Sequence, residues 1–166
     1  MHYRTLLLCR TLALIATTLL SGCATLSPFS TMTKLNVTLV ASDELNPDVN
    51  GRPSPLVMRF FELKHPVAFE NADFFSIYDR AWETLSPDLL ASEELELRPG
   101  ETVTLRFAMA DSGRYVGVLA AYRDLPHTQW RYTLPVAVAR VNEANLALNE
   151  GGIASFTKGL ARADDK

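Results

Sequence analysis

The sequence contains little cysteine and no excess of positive charge. Its two cysteines, Cys9 and Cys23, are too few among 166 residues for a disulfide scaffold or a cysteine-rich zinc site. The formal net charge is −3, so no surplus of Lys and Arg exists to neutralise the phosphates of nucleic acid. A mean hydropathy of +0.04 excludes both a disordered chain and a protein with several membrane spans. The length predicts one globular domain.

The short motifs of common enzyme chemistry are also missing. The chain has no Gly-x-Ser-x-Gly elbow, no Walker-type loop and no Gly-x-Gly-x-x-Gly. His65 and His127 each lie beside a proline in a predicted surface turn, without further ligands at metal-binding spacing. Asp73 and Asp79 are six residues apart and would point in different directions on a helix, so helix capping and solvation explain them. We therefore expect no enzymatic activity, no metal and no cofactor.

The N-terminus has the pattern of an export signal. Arg4 and Arg10 supply positive charge, and residues 11–20 form an apolar run far shorter than the ~20 residues of a membrane-spanning helix. Leu20-Ser21-Gly22-Cys23 is similar to a bacterial lipobox, in which the cysteine thiol takes up a diacylglycerol. The alternative is a chance cysteine behind an ordinary signal. We predict a lipoprotein signal peptide over residues 1–22, with lipidation of Cys23.

Cleavage before Cys23 changes the totals. The mature chain then has 144 residues, with 14 Lys and Arg against 19 Asp and Glu, a net charge of −5. Cys23 is its single cysteine, so an intramolecular disulfide is excluded and the fold depends on its core. Small and polar residues over 24–33 predict a flexible tether after the lipidated cysteine. Ala24, where an aspartate would indicate inner-membrane retention, favours the outer membrane.

The rest of the chain alternates between apolar and polar residues with the period of a β-strand. Two runs, 56–63 and 115–122, are apolar on both faces, which is typical of strands covered on both sides. The predicted strands lie at 35–39, 56–63, 94–98, 103–109, 115–122, 130–134, 136–141 and 144–148. This pattern predicts a mainly β fold, a two-sheet β-sandwich of seven or eight strands over residues 34–150.

One stretch departs from the strand period. Phe74, Tyr78 and Trp82 recur at helical spacing, and we expect this aromatic stripe to pack on a sheet rather than line a ligand site. Ser86-Pro87-Asp88 has the pattern of a helix N-cap and predicts a second short helix. The sandwich is therefore expected to hold a helical insertion near 71–92. Residues 151–166, which begin with Gly-Gly, are expected to form a loose tail.

An unusual loop, residues 42–55, connects the first two predicted strands. It holds three of the nine prolines, so its backbone would lose little entropy on binding a partner. Leu45 and Val49 are apolar residues expected to be exposed there, and Arg52 is a residue type that often anchors interfaces. On these grounds alone a merely rigid connector is an equally good interpretation.

Several stretches, in order and with matching spacing, resemble the TssJ (SciN/VasD) family of type VI secretion lipoproteins. They are Leu45-Asn46-Pro47-Asp48, Gly51-Arg52-Pro53-Ser54-Pro55-Leu56-Val57, Arg59-Phe60-Phe61-Glu62-Leu63-Lys64, Phe69, Ala72-Asp73-Phe74-Phe75, Tyr78-Asp79, Leu89-Leu90, Pro99-Gly100-Glu101, Val116-Gly117-Val118, Ala120-Ala121-Tyr122-Arg123-Asp124 and Trp130-Arg131. The resemblance covers about residues 35–135. It departs at Phe60-Phe61, where an apolar–Tyr pair is commoner, and the Gly-Gly tail matches nothing in the family pattern.

The resemblance implies a transthyretin-like β-sandwich with an added helical element and no enzymatic activity. It implies an outer-membrane lipoprotein, anchored by its N-terminal lipid and facing the periplasm. Such a protein docks the trans-envelope secretion complex by binding the periplasmic domain of TssM, and takes no nucleic acid or small-molecule substrate. The contact would lie on the loop between the first two strands, here Leu45, Asn46, Pro47, Asp48, Val49, Asn50, Gly51, Arg52, Pro53 and Ser54.

The alternative is an unrelated envelope lipoprotein that acts as a small-ligand-binding module. Such a module needs a concave pocket with convergent polar groups, and the sequence shows no cluster of residues that predicts one.

Overall fold

The computed structural model describes residues 32–157. The predicted signal peptide, Cys23 and all but the last two residues of the predicted tether lie outside the described residues. The elements in order are β1 (Lys34–Ala41), β2 (Leu56–Leu63), α1 (Val67–Asn71), α2 (Phe74–Thr84), β3 (Leu89–Leu97), β4 (Thr102–Ala108), β5 (Tyr115–Ala120), a 3₁₀ turn (Leu125–His127), β6 (Arg131–Pro135), β7 (Val141–Asn149) and β8 (Gly152–Ser155). Neither α-helix in this range is long and apolar enough to cross a membrane.

The strands form two four-stranded sheets. Sheet A has the order β4-β1-β7-β8, and sheet B has the order β3-β2-β5-β6. Within each sheet the neighbouring strands are antiparallel, except that β1 and β7 run parallel with Val37 opposite Ala144. The predicted mainly β, two-sheet sandwich with a helical insertion is therefore confirmed.

The main core lies between the two sheets. In β1 every second residue points inward, and Leu35, Val37 and Leu39 are at most 1% exposed. Met58 and Phe60 of β2 meet them from sheet B. Burial of one such side chain contributes about 1.5–3 kcal/mol. The strand period read from the sequence is thus the period of core packing.

A second, smaller core lies on the outer face of sheet B, where the helices pack. Phe61 of β2 and Leu119 of β5 contact Phe69 of α1 and Ile77 of α2, and all four are fully buried. Gly117 leaves room for the Phe69 ring, because a Cβ at position 117 would lie only 3.0 Å from three carbons of that ring. The apolar residues on both faces of β2 and β5 are explained by these two cores.

Two arginines of sheet B hold the helical insertion. Arg131 donates to the carbonyl oxygens of Phe69 and Ala72 at 2.9 Å each, which satisfies carbonyls at the end of α1. Arg59 donates to the carbonyl oxygen of Tyr78 and its guanidinium lies 4.3 Å from the centre of the Tyr78 ring. The insertion is therefore fixed to the sheet by polar as well as apolar contacts.

The helical insertion differs from its prediction in three ways. Ser86-Pro87-Asp88 does not begin a helix; it leads into β3, and the backbone N–H of Lys64 donates to the Asp88 carbonyl at 2.9 Å. An additional short helix, α1, precedes α2. Phe74 and Tyr78 pack on sheet B as predicted, but Trp82 is 61% exposed. The non-helical backbone of Arg80 interrupts the helical phase between Tyr78 and Trp82.

Two predictions near the C-terminus are also wrong. Residues 136–140 form a loop rather than a strand, and the Asn142 side chain bonds to both the N–H and the carbonyl of Ala137. The predicted loose tail begins instead with β8, which pairs with β7 and places Ile153 opposite Leu148. Its last nine residues, 158–166, lie outside the described part of the chain.

Candidate functional site

The β1–β2 loop (residues 42–55) lies at the end of the sandwich opposite to residue 32. β1 separates the two, and its eight residues span about 26 Å at ~3.3 Å per residue. The loop is joined to neighbouring connections at its end of the molecule. Ser42 donates to the Leu148 carbonyl at 2.8 Å and accepts from the Gly100 N–H at 3.1 Å.

Two residues at the start of the loop fix it to the domain. Leu45 is fully buried in the main core, so the expectation that it is exposed is wrong. Asn46 is 4% exposed and adopts a left-handed backbone with φ of +48°, which Asn tolerates better than most residues. Its Nδ2 donates to the Pro55 carbonyl at 2.9 Å, and its Oδ1 accepts from the Arg123 N–H at 2.9 Å. Asn46 thus connects both ends of the loop to the segment after β5.

Asp48 organises the tip of the loop. Its Oδ1 accepts from the backbone N–H groups of Asn50 at 2.8 Å and Arg52 at 3.0 Å, and its Oδ2 accepts from Arg52 Nε at 2.8 Å. The carbonyl of Asp48 accepts from Gly51, whose φ of +76° suits glycine. Hydrogen bonds from the Arg52 backbone and guanidinium hold the pKa of Asp48 below its ordinary value.

The ten predicted contact residues therefore differ in how far they are buried. Leu45 and Asn46 are buried, Pro47, Asp48 and Ser54 are half-buried, and Val49, Asn50, Gly51, Arg52 and Pro53 are exposed. Val49 is an apolar side chain fully open to solvent. The exposed residues therefore form a surface that the buried residues Leu45 and Asn46 hold to the domain.

Arg123 and Asp124 complete this surface, and reasoning from loop composition missed them. They follow β5 and form, with Pro47, Asp48, Val49, Asn50 and Arg52, an open groove of about 620 Å³. The signal that points to them is their place in the family-like stretch Ala120 to Asp124. The groove mixes the charged side chains of Asp48, Arg52 and Arg123 with apolar surface, and it is open to solvent, unlike the enclosed sites of small molecules.

Two smaller grooves, of about 320 and 370 Å³, lie elsewhere on the described chain, one beside β6 and one beside β7 and β8. Between residues 32 and 157, no three His, Cys, Asp or Glu side chains are grouped to hold a metal ion. His65 and His127 are exposed, and each ring lies 2.8 Å from an aspartate oxygen. Glu62 borders a cleft of only about 80 Å³; burial raises its pKa, and the Ala110 N–H donates to it at 2.7 Å.

Comparisons with known proteins give one consistent family. The family model of the type VI secretion lipoproteins (VasD, EvfM, TssJ) matches residues 33–151. The T6SS lipoprotein TssJ1 from Pseudomonas aeruginosa is similar in structure, with 36% identity and a TM-score of 0.73 over 75% of this chain and 95% of that one. No curated protein matches the chain.

Two further solved structures are similar. Lip from Serratia marcescens, a membrane-bound component of the type VI secretion system, is 28% identical, with a TM-score of 0.72 over 76% of this chain and 98% of that one. A chain of a type VI membrane complex shares the fold at 21% identity, with a TM-score of 0.67 over 76% and 99% of the two chains. Together with the family model, these likenesses show that the chain belongs to the type VI secretion lipoprotein family.

Proposed function

We propose that this protein is anchored in the outer membrane through a lipid on Cys23, faces the periplasm, and binds the periplasmic domain of TssM through the β1–β2 loop. It would thereby attach the secretion complex to the outer membrane. The family supplies the class of protein, a membrane-bound structural component of the secretion system. The loop supplies the surface that such a component needs.

The direction of the chain supports this proposal. Residue 32, which continues toward Cys23, and the β1–β2 loop lie at opposite ends of β1. A domain held to a bilayer at one end presents the other end to the periplasm. The loop would then face a partner that approaches from the inner membrane.

The single observation that carries the proposal is the order of the loop tip. Val49 and Arg52 are exposed while the Asp48 hydrogen bonds fix the backbone around them. A partner would therefore meet an apolar side chain and a guanidinium without paying to order the loop. Arg is among the residue types enriched at the energetic centres of interfaces.

The test is a binding measurement on Val49→Asp. No hydrogen bond of the loop uses the Val49 side chain, so this change alters the contact surface and leaves the Asp48 bonds in place. We expect the dissociation constant for the TssM periplasmic domain to rise about thirtyfold, the size of one central interface contact.

Val67→Asp is the matched control, because Val67 is another exposed valine, 63% open, on α1. Its dissociation constant for the TssM domain should stay within about twofold of the wild-type value, the usual range for a surface substitution away from an interface. Circular dichroism verifies that both variants fold. Equal affinities for the wild-type protein and Val49→Asp would remove the loop tip from the interface.

A further inference from the structure

We propose that the end of the sandwich opposite the β1–β2 loop docks directly on an anionic phospholipid surface. This tether-end surface consists of Met32, Val138 and Val141 with the cations Lys34 and Arg140. The inference rests on the proposed function, because a lipid on Cys23 is what would hold the domain beside a bilayer.

Three exposed aliphatic side chains form the apolar part of this surface. Met32 is 53%, Val138 47% and Val141 58% exposed. The backbone N–H of Ala139 donates to Oγ1 of Thr33 at 2.9 Å, which joins the two segments that carry Val138 and Met32. Side chains of this kind enter the interfacial layer of a bilayer when the surrounding charges allow it.

The two cations, Lys34 and Arg140, lie next to these apolar side chains. The N–H of Lys34 donates to the carbonyl of Arg140 at 3.0 Å, and Val141 lies opposite Lys34 in the parallel pair of β1 and β7. Lys34 and Arg140 are both exposed. Apolar and basic side chains are therefore interleaved on one small area, the composition that favours an anionic membrane interface.

The charge of this end is opposite to that of the domain. Residues 32–157 contain 11 Lys and Arg against 17 Asp and Glu, a net charge of −6. The segments that close the tether end, 32–34, 64–66, 86–88, 109–114 and 136–141, contain four cations and two acids. They are Lys34, Lys64, Arg114 and Arg140 against Asp88 and Asp111. The Glu62 carboxylate, which accepts from the Ala110 N–H at 2.7 Å, is a third acid at this end, so the cations still exceed the acids by one. An anionic surface would attract this end and repel the remainder, which orients the domain.

The length of the tether makes a weak contact sufficient. Residues 24–32, nine in all, follow Cys23, and at no more than ~3.5 Å each they can reach about 30 Å. A surface held that close is present at an effective concentration in the millimolar range. Because the chain leads from this patch to the lipid, a bilayer is its nearest large partner.

A single fluorescent label tests this contact in the acylated full-length protein. The mature sequence has no cysteine besides Cys23, whose thiol would be acylated, so Val138→Cys offers one site for an environment-sensitive dye. Val49→Cys places the same dye at the opposite end. In vesicles of phosphatidylethanolamine and phosphatidylglycerol, we expect blue-shifted emission and protection from acrylamide at position 138 and neither at position 49.

Removing the cations should release the label. Lys34→Gln with Arg140→Gln is expected to lower the ratio of docked to undocked protein about thirtyfold, the effect of two basic residues near an anionic surface. Arg98→Gln with Arg123→Gln, which removes two cations from the loop end, should leave the protection unchanged.

Vesicle flotation separates the two possible failures. Protein that floats with label 138 as accessible as label 49 overturns the docking inference and leaves the lipid anchor intact. Protection that persists without Lys34 and Arg140 also contradicts it. If the protein does not float with the vesicles, the proposed lipid anchor is wrong, and the docking inference that rests on it is wrong as well.

Discussion

Asn46 and Asp48 lie two residues apart and stabilise different parts of the same loop. The buried Asn46 amide bridges Pro55 and Arg123, which belong to separate segments. The Asp48 carboxylate accepts hydrogen bonds only from Asn50 and Arg52, which lie within four residues of it. Asn46 therefore fixes where the loop lies on the domain, and Asp48 fixes the shape of its tip.

The Asp48 carboxylate should make loop order depend on pH. Its pKa lies below the ordinary value of 3.8, chiefly because the Arg52 N–H and guanidinium bond to the ionised form. A lowered pKa in the folded state stabilises the protein above 3.8, and this contribution disappears as the pH falls through the lowered value. Asp48→Asn should therefore reduce the urea midpoint at neutral pH, and the difference from wild type should close in acid.

The readout for Asp48→Asn is the urea midpoint measured from neutral pH down to about pH 2, well below the ordinary Asp pKa of about 3.9. Asp43→Asn removes an exposed carboxylate from the same loop and controls for the loss of one charge. A wild-type advantage that stays constant or grows in acid would show that the Asp48 hydrogen bonds do not act through the ionised carboxylate.

Residue type predicted the position of the loop but not the side on which each residue lies. Leu45 and Val49 are both apolar, and only the tertiary fold decides that Leu45 enters the core while Val49 faces solvent. Arg123 reaches the loop from 77 residues away, a proximity that no local pattern contains. Composition therefore located the candidate site, and the fold selected its outer surface.

At the scale of elements, strand β5 shows how one residue sets the distance between a helix and a sheet. Gly117 lies between Val116 and Val118, which face the main core, and its own face carries the Phe69 ring. The φ of Gly117 is not in the left-handed region, so the requirement for glycine there is steric. Phe69 and Gly117 act as one packing unit.

Gly117→Ala should destabilise the domain by about 1–3 kcal/mol, the usual cost of overpacking a closed core. Its new Cβ would lie 3.0 Å from three carbons of the fully buried Phe69 ring. In the Phe69→Leu background the same change should cost less, because the ring that it meets is gone. Urea denaturation of the four proteins gives the coupling.

Gly151→Ala is the matched control for this cycle. Gly151 is an exposed glycine without a left-handed φ, and its added Cβ would meet only an Asn149 side-chain oxygen at 3.3 Å. Its effect should stay within about 0.5 kcal/mol, as for most surface substitutions. Additive costs for Gly117→Ala and Phe69→Leu would contradict the direct contact.

Local signals predicted elements where burial and local preference agree. The strand period located β1, β4 and β7, and the helical period located α2. The prediction of a helix beginning at Ser86-Pro87-Asp88 was wrong because an N-cap pattern describes only its own few residues. The segment that follows, β3, pairs with β2 along nearly its whole length. β8 was missed because it is only four residues long and begins at the second glycine of the Gly-Gly pair, so it contains no readable period.

The whole molecule has two ends with different proposed tasks. The loop end offers an open groove lined in part by Val49, and the tether end offers basic and apolar side chains beside residue 32. The sandwich between them is held by one core between the sheets and a second core under the helices. A rigid body of this kind keeps the two ends apart, so each can be impaired without the other.

Cys23→Ser and Val49→Asp should therefore produce opposite defects. Cys23→Ser removes the lipid, and we expect the protein to move from the membrane fraction to the soluble periplasm while its affinity for the TssM domain stays unchanged. Val49→Asp should remain in the membrane fraction and bind the TssM domain about thirtyfold more weakly. Both should reduce type VI secretion, because attachment needs the two ends at once, and supplying both variants together should not restore it. A soluble Cys23→Ser protein that supports secretion, or one that loses its affinity, would contradict the division of tasks between the two ends.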